Sequence, residues 1–123
     1  EILAESREES PLRHVAFDDL TAKQLAEAAL KGDPVAREAF DRTARILGLK
    51  LADAVTHTSP ECIIRCGGLA NAGYLIIGPT KKYMEEYMLN IFKNKVKILP
   101  SGLPEGNTAV LGASALIWNE LER

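Results

Sequence analysis

Two cysteines, two histidines and no dense basic cluster are found in 123 residues. Each scarcity removes a class of protein. Lys and Arg number 15 against 17 Asp and Glu, a formal net charge of −2, so no groove for nucleic acid is expected. The longest unbroken apolar runs are a few residues, far short of the roughly 20 that a membrane-spanning helix needs. No basic-then-apolar leader follows Glu1, so the reading is cytoplasmic, without a secretory signal. Cys62 and Cys66 are spaced C-x-x-x-C. Along a strand they would stand about 13 Å apart, too far for a disulfide. A zinc site needs more ligands than these, and His14 and His57 are isolated in the sequence. The cysteines are therefore expected as two small buried apolar residues of a reduced protein, with no metal site.

What is present is ordinary for a globular chain: 46% hydrophobic and 26% charged residues. That length supports one domain, burying roughly two-thirds of its unfolded surface. The opening Glu1-Ile2-Leu3 already follows a helical pattern, so a piece of something longer is expected.

Helices are predicted over about 1–9, 22–31, 34–56, 79–90 and 108–121, and strands over about 61–66 and 95–99. Ser10-Pro11 stops the first helix. Thr21 and Gln24 have the spacing of a capping box at the start of the second. Lys31-Gly32 ends that helix, and Asp33-Pro34 opens the next as cap and first helical residue. Phe40, Ala44, Leu47, Leu51, Ala54 and Val55 give this long helix one apolar face. Glu38 with Arg42 and Asp41 with Arg45 are acid-first i,i+4 pairs, read as a solvated face. Ser59-Pro60 closes it. The apolar run 61–66 reads as a fully buried strand, and Tyr83, Met84, Tyr87 and Met88 as core at helical spacing. Strands joined by helices argue for an α/β layer with parallel pairing. Two strands are too few for a stable sheet, so partner strands are expected elsewhere.

The segment Arg65-Cys66-Gly67-Gly68-Leu69-Ala70-Asn71-Ala72-Gly73 leaves the first strand through adjacent glycines. Gly68 and Gly73 have the G-x-x-x-x-G spacing of a phosphate loop, but Tyr74-Leu75 stands where Lys-Ser/Thr should be. The dinucleotide pattern G-x-G-x-x-G is also absent. Two readings stay open. The glycines make a tight strand-to-helix turn, or they let backbone lie flat against a planar ligand. Ligands of open α/β sheets bind outside the carboxyl ends of the strands, where this pair sits.

Five runs carry a resemblance. They are Ala28-Ala29-Leu30-Lys31-Gly32-Asp33-Pro34-Val35-Ala36, Leu47-Gly48, Ser59-Pro60-Glu61-Cys62-Ile63-Ile64, Gly67 to Gly73, and Ala109-Val110-Leu111-Gly112-Ala113-Ser114-Ala115. In this order they resemble the carboxyl-terminal part of ROK-family proteins, which are bacterial sugar kinases and sugar-responsive repressors. The resemblance covers essentially the whole chain. It implies part of a ribonuclease-H-like lobe of the actin-like ATPase fold, helix-rich with two short parallel strands. It also implies that Gly67 and Gly68, with Leu69 and Asn71, line the adenosine end of an ATP site. The family commonly has a third glycine before this pair; here it is Cys66, which alters the shape of that contact.

The resemblance places the phosphate loop, the catalytic Asp, the sugar-binding residues and any structural zinc upstream of residue 1. No catalytic residue is therefore assigned here. Asp33, Asp41 and Asp53 match none of those motifs. The implied function is the carboxyl-terminal part of an ATP-dependent hexose kinase, glucokinase-like, using ATP with Mg²⁺ and forming homo-oligomers. The 123 residues alone are expected to be inactive. A ROK repressor without kinase activity is the alternative, and a free-standing interaction module a third.

Overall fold

The computed structural model describes residues 2–66, 73–103 and 108–122. In chain order these form α1 (Ile2–Glu5), two 3-10 turns (Pro11–His14 and Phe17–Asp19) and α2 (Ala22–Leu30). There follow α3 (Pro34–Thr58), β1 (Cys62–Arg65), α4 (Tyr74–Tyr87), β2 (Lys97–Pro100) and α5 (Thr108–Leu121).

Local chemistry sets the helix starts. At α2, Thr21 Oγ1 accepts from the Gln24 N–H at 3.2 Å, and Gln24 Oε1 accepts from the Thr21 N–H at 2.8 Å. Both orphan donors are satisfied reciprocally. At α3, Asp33 Oδ1 accepts from the Ala36 N–H at 2.7 Å in a buried setting. Pro34 takes the first helical position, where a missing N–H is no loss. Asp33→Ala is expected to lower stability by about 1 kcal/mol, a fall in Tm of about 4–8 °C. Thermal melts followed by circular dichroism check this; an unchanged Tm would show that the cap contributes nothing.

The long helix α3 packs along α4, and their residues meet in the same order along both. Phe40 and Ala44 share a buried cluster with Ile76, whereas Ala52 and Val55 share a second with Met84 and Met88. The two helices therefore run parallel. The buried face of α3 is Ala36, Phe40, Ala44, Gly48, Ala52 and Val55. It differs from the expected stripe, because Leu47 and Ala54 are exposed and Leu51 is half-buried. Small residues at four-residue steps let the helices approach closely, so the bulkier leucines are left on the flank. The approach is tightest at Gly48. An added Cβ there would lie 2.7 Å from Tyr83 Cβ, 2.8 Å from the Met84 nitrogen and 2.9 Å from the Thr80 oxygen.

Two helix boundaries depart furthest from expectation, and α4 also ends at Tyr87, short of residue 90. The first helix stops at Glu5 instead of running to residue 9. The Arg13 guanidinium takes the carbonyls of Leu3, Ser6 and Glu8, and the first two would otherwise accept the next helical bonds. The fourth helix starts at Tyr74, five residues before Pro79, which lies inside it. An interior proline costs about 3 kcal/mol. Ile76 is buried and Leu75 and Ile77 pack partly against the first cluster, and each buried apolar side chain contributes about 1.5–3 kcal/mol. Burial of that run outweighs the proline. Gly73 admits the turn into the helix with φ of 52°, a conformation L side chains rarely adopt.

Strands β1 and β2 pair in parallel, with Cys62 opposite Lys97 and Arg65 opposite Pro100. The connection passes through α4, as parallel pairing requires. The expectation of a fully buried strand is corrected. Ile63 and Ile98 face the second cluster, but Ile64 is 64% exposed. Cys62 and Cys66, expected to be buried, are exposed free thiols. The cause is that the described helices cover one face of the strand pair only. Similarly, α5 presents Val110, Leu116, Ile117 and Trp118 to solvent. No described helix is long and apolar enough to cross a membrane.

Candidate nucleotide-binding end of the domain

The parallel helices leave a groove at their amino-terminal ends. Its volume is about 390 Å³, and Arg37, Phe40 and Asp41 of α3 face Tyr74, Leu75 and Pro79 of α4 across it. Phe40 is buried, Leu75 and Pro79 half-buried, and the walls are mostly carbon. Polar groups are few. The Arg37 Nε–H donates to the Ala29 carbonyl at 3.1 Å, which ties this side chain to the end of α2.

Asp41 was expected to pair with Arg45 along α3. It does not. The Tyr83 hydroxyl donates to the Asp41 carboxylate, 2.9 Å from each oxygen. The Arg45 Nε–H donates to the Tyr87 hydroxyl at 2.9 Å. Both members of the expected pair thus reach across to α4, where tyrosines four residues apart match their spacing. The two rings stack with centroids 6.5 Å apart and planes 19° from parallel. The hydrogen bond to Asp41 holds the Tyr83 proton more tightly than usual, raising its pKa, with desolvation acting in the same direction. Arg42, by contrast, does make its expected bridge to Glu38, at 2.8 Å, and adds Glu5 at 3.2 Å.

Gly67, Gly68, Leu69 and Asn71, the residues assigned to the adenosine contact, lie outside the described residues. Their flanks are described: Cys66 follows β1, and Gly73 opens α4 beside the groove. Among the described residues, no group of three or more His, Cys, Asp or Glu side chains could hold a metal ion. Sequence reasoning missed Arg37, Tyr74 and Tyr83 as members of one site. The available signal was the repeated separation of 42 residues, from Asp41 to Tyr83 and from Arg45 to Tyr87.

The ROK family model matches residues 4–120. A glucokinase from Thermotoga maritima is 31% identical over 96 residues, which is 78% of this chain and 30% of that protein. The DNA-binding transcriptional dual regulator NagC of Escherichia coli is 28% identical over 103 residues, 84% of this chain and 25% of that protein. Among solved structures, a ROK family glucokinase from Streptomyces griseus in complex with glucose and AMPPNP is 30% identical. It aligns with a TM-score of 0.71 over 82% of this chain and 32% of that one. The chain thus spans a third or less of the length of each of these relatives. Its fold is part of a ribonuclease-H-like lobe of the actin-like ATPase architecture, helix-rich with two short parallel strands. With nearly its whole length matched by the family model, this chain belongs to the ROK family.

Proposed function

We propose that this chain is the carboxyl-terminal part of an ATP-dependent hexose kinase of the glucokinase type, and that it forms the adenosine side of the nucleotide site. The observation that supports this most is the position of the apolar groove. It lies at the amino-terminal end of α4, the helix that follows the Gly67-Gly68 pair in sequence, in a chain similar to a glucokinase solved with glucose and AMPPNP. A groove of about 390 Å³ with mostly carbon walls and a few polar groups suits a nucleoside. The nucleotide, when bound, supplies the γ-phosphoryl group that a sugar hydroxyl takes. Residues of this chain hold its far end: Gly67 and Gly68, lacking Cβ, give a flat backbone surface for the base, and Leu69 and Asn71 border it. Positioning of this kind lowers the entropic barrier to in-line transfer. No residue of this chain is assigned to Mg²⁺ or to the sugar.

Gly68→Val in the full-length kinase is expected to weaken ATP at least about tenfold, while the hexose affinity stays within a factor of about two. Calorimetric titration of both ligands into the folded variant measures it. Equal loss of both would identify the glycines as a turn only.

The second reading is a sugar-responsive repressor without kinase activity, favoured by the 28% identity to NagC over 84% of the chain. Hexose-dependent ADP release by the full-length protein separates the two.

A further inference from the structure

We propose that Asp41, oriented by the Tyr83 hydroxyl, reads the exocyclic amino group of the purine base and so selects adenine over hypoxanthine nucleotides. The inference rests on the nucleotide reading above and adds a specificity determinant to it.

The groove constrains its occupant. Phe40, Leu75 and Pro79 offer carbon surfaces, which suit the faces of a flat, uncharged ring. The lining residues that can hydrogen-bond are Arg37, Asp41 and Tyr74. Arg37 already spends its Nε–H on the Ala29 carbonyl. An ionised carboxylate is an acceptor only, with about four lone-pair directions. The Tyr83 hydroxyl brings one proton to it, shared between the two oxygens. Asp41 is exposed, so water fills its remaining acceptor directions in the free protein, and a ligand that displaces this water must bring a donor in its place. The 6-amino group of adenine is such a donor. The 6-oxo group of hypoxanthine would set lone pair against lone pair.

Tyr83 acts through Asp41 and is a positioning residue. An aspartate alone on an exposed helix face samples several rotamers. Here a hydroxyl equidistant from both oxygens restricts it, and the Tyr83 ring is itself stacked on Tyr87, which Arg45 engages from α3. Two rungs therefore cross between the helices, and the one nearer the groove ends in the carboxylate. Preorganisation of this sort is what a selective polar contact needs.

The test is equilibrium binding of ADP and IDP to the full-length protein, comparing wild type, Asp41→Ala and Tyr83→Phe. Wild type is expected to prefer ADP by about tenfold, the factor for one hydrogen bond to a charged acceptor. Asp41→Ala should abolish the preference by weakening ADP while IDP changes little. Tyr83→Phe, which keeps the stacked ring, should cut the preference to about threefold. Glucose affinity and Tm should stay close to wild type in both variants, which a structural role would not predict. If Asp41→Ala fails to fold, the Tyr83→Phe ratio decides. An ADP/IDP ratio identical in wild type and variants would overturn the inference and leave the nucleotide reading intact. Failure of wild type to bind either nucleotide would overturn both.

Discussion

Gly48→Val is expected to be the most damaging single substitution in the α3–α4 pair, and Gly48→Ala to be destabilising as well. On an isolated helix Gly→Ala stabilises by about 1 kcal/mol. Here the new methyl would meet the Met84 nitrogen at 2.8 Å and the Thr80 oxygen at 2.9 Å, both backbone atoms of α4. A flexible side chain can turn aside; a helix backbone must be pushed bodily away. Overpacking of this kind costs about 1–3 kcal/mol, and contact with two backbone atoms places it at the upper end. The net loss for Ala is then about 2 kcal/mol, a fall in Tm on the order of 10 °C. Valine adds two methyl groups in the same confined space and should lose more. Urea and thermal unfolding of the three proteins supply the measurement. A Gly48→Ala variant more stable than wild type would show that the helices part at little cost.

Met84→Ala is the second large effect. Met84 is fully buried in the cluster beneath the strands, beside Val55, Met88 and Val96. Truncating a fully buried methionine to alanine costs about 2–5 kcal/mol, through lost transfer free energy and a residual cavity. Met84→Leu, close to it in volume, should cost under about 1.5 kcal/mol. The contrast between the two variants in denaturant unfolding identifies the cavity as the cause. Similar losses for both would mean that the methionine shape, and not its volume, matters.

The elements whose signals are local were legible in the sequence. The Thr21–Gln24 box and the Asp33-Pro34 start need only neighbouring residues, and the Ser59-Pro60 stop likewise. The Tyr74 start was not legible, because Pro79 reads as a beginning until the burial of Ile76 against α3 is known. The apolar stripe was read one step off for a related reason. Leucine attracts attention in a sequence, whereas Ala36, Gly48 and Ala52 are buried by a partner helix that the sequence does not display. The groove was hidden by distance. Asp41 and Tyr83 stand 42 positions apart, and a plausible local partner, Arg45, lay one turn away. The family was legible because its short runs are spread in order along the entire chain. Exposure of Ile64 and of the cysteines was not, since an apolar run carries no sign of which neighbour covers it.

The parallel course of α3 and α4 has an electrostatic consequence. Antiparallel neighbours cancel their peptide dipoles; these two add them. Each helix carries the equivalent of roughly half a positive charge at its amino end and half a negative charge at its carboxyl end. A helix of 25 residues beside one of 14 therefore polarises the domain from end to end, positive at Pro34 and Tyr74 and negative beyond Thr58 and Tyr87. On α3 the end residues follow the field, whereas α4 carries Glu85 and Glu86 in its last turn, against it. Asp33 stands at the positive end of α3 and His57 in its last turn. A formal net charge of −2 conceals this polarity, because the field arises from the direction of the backbone and not from the count of ionised groups.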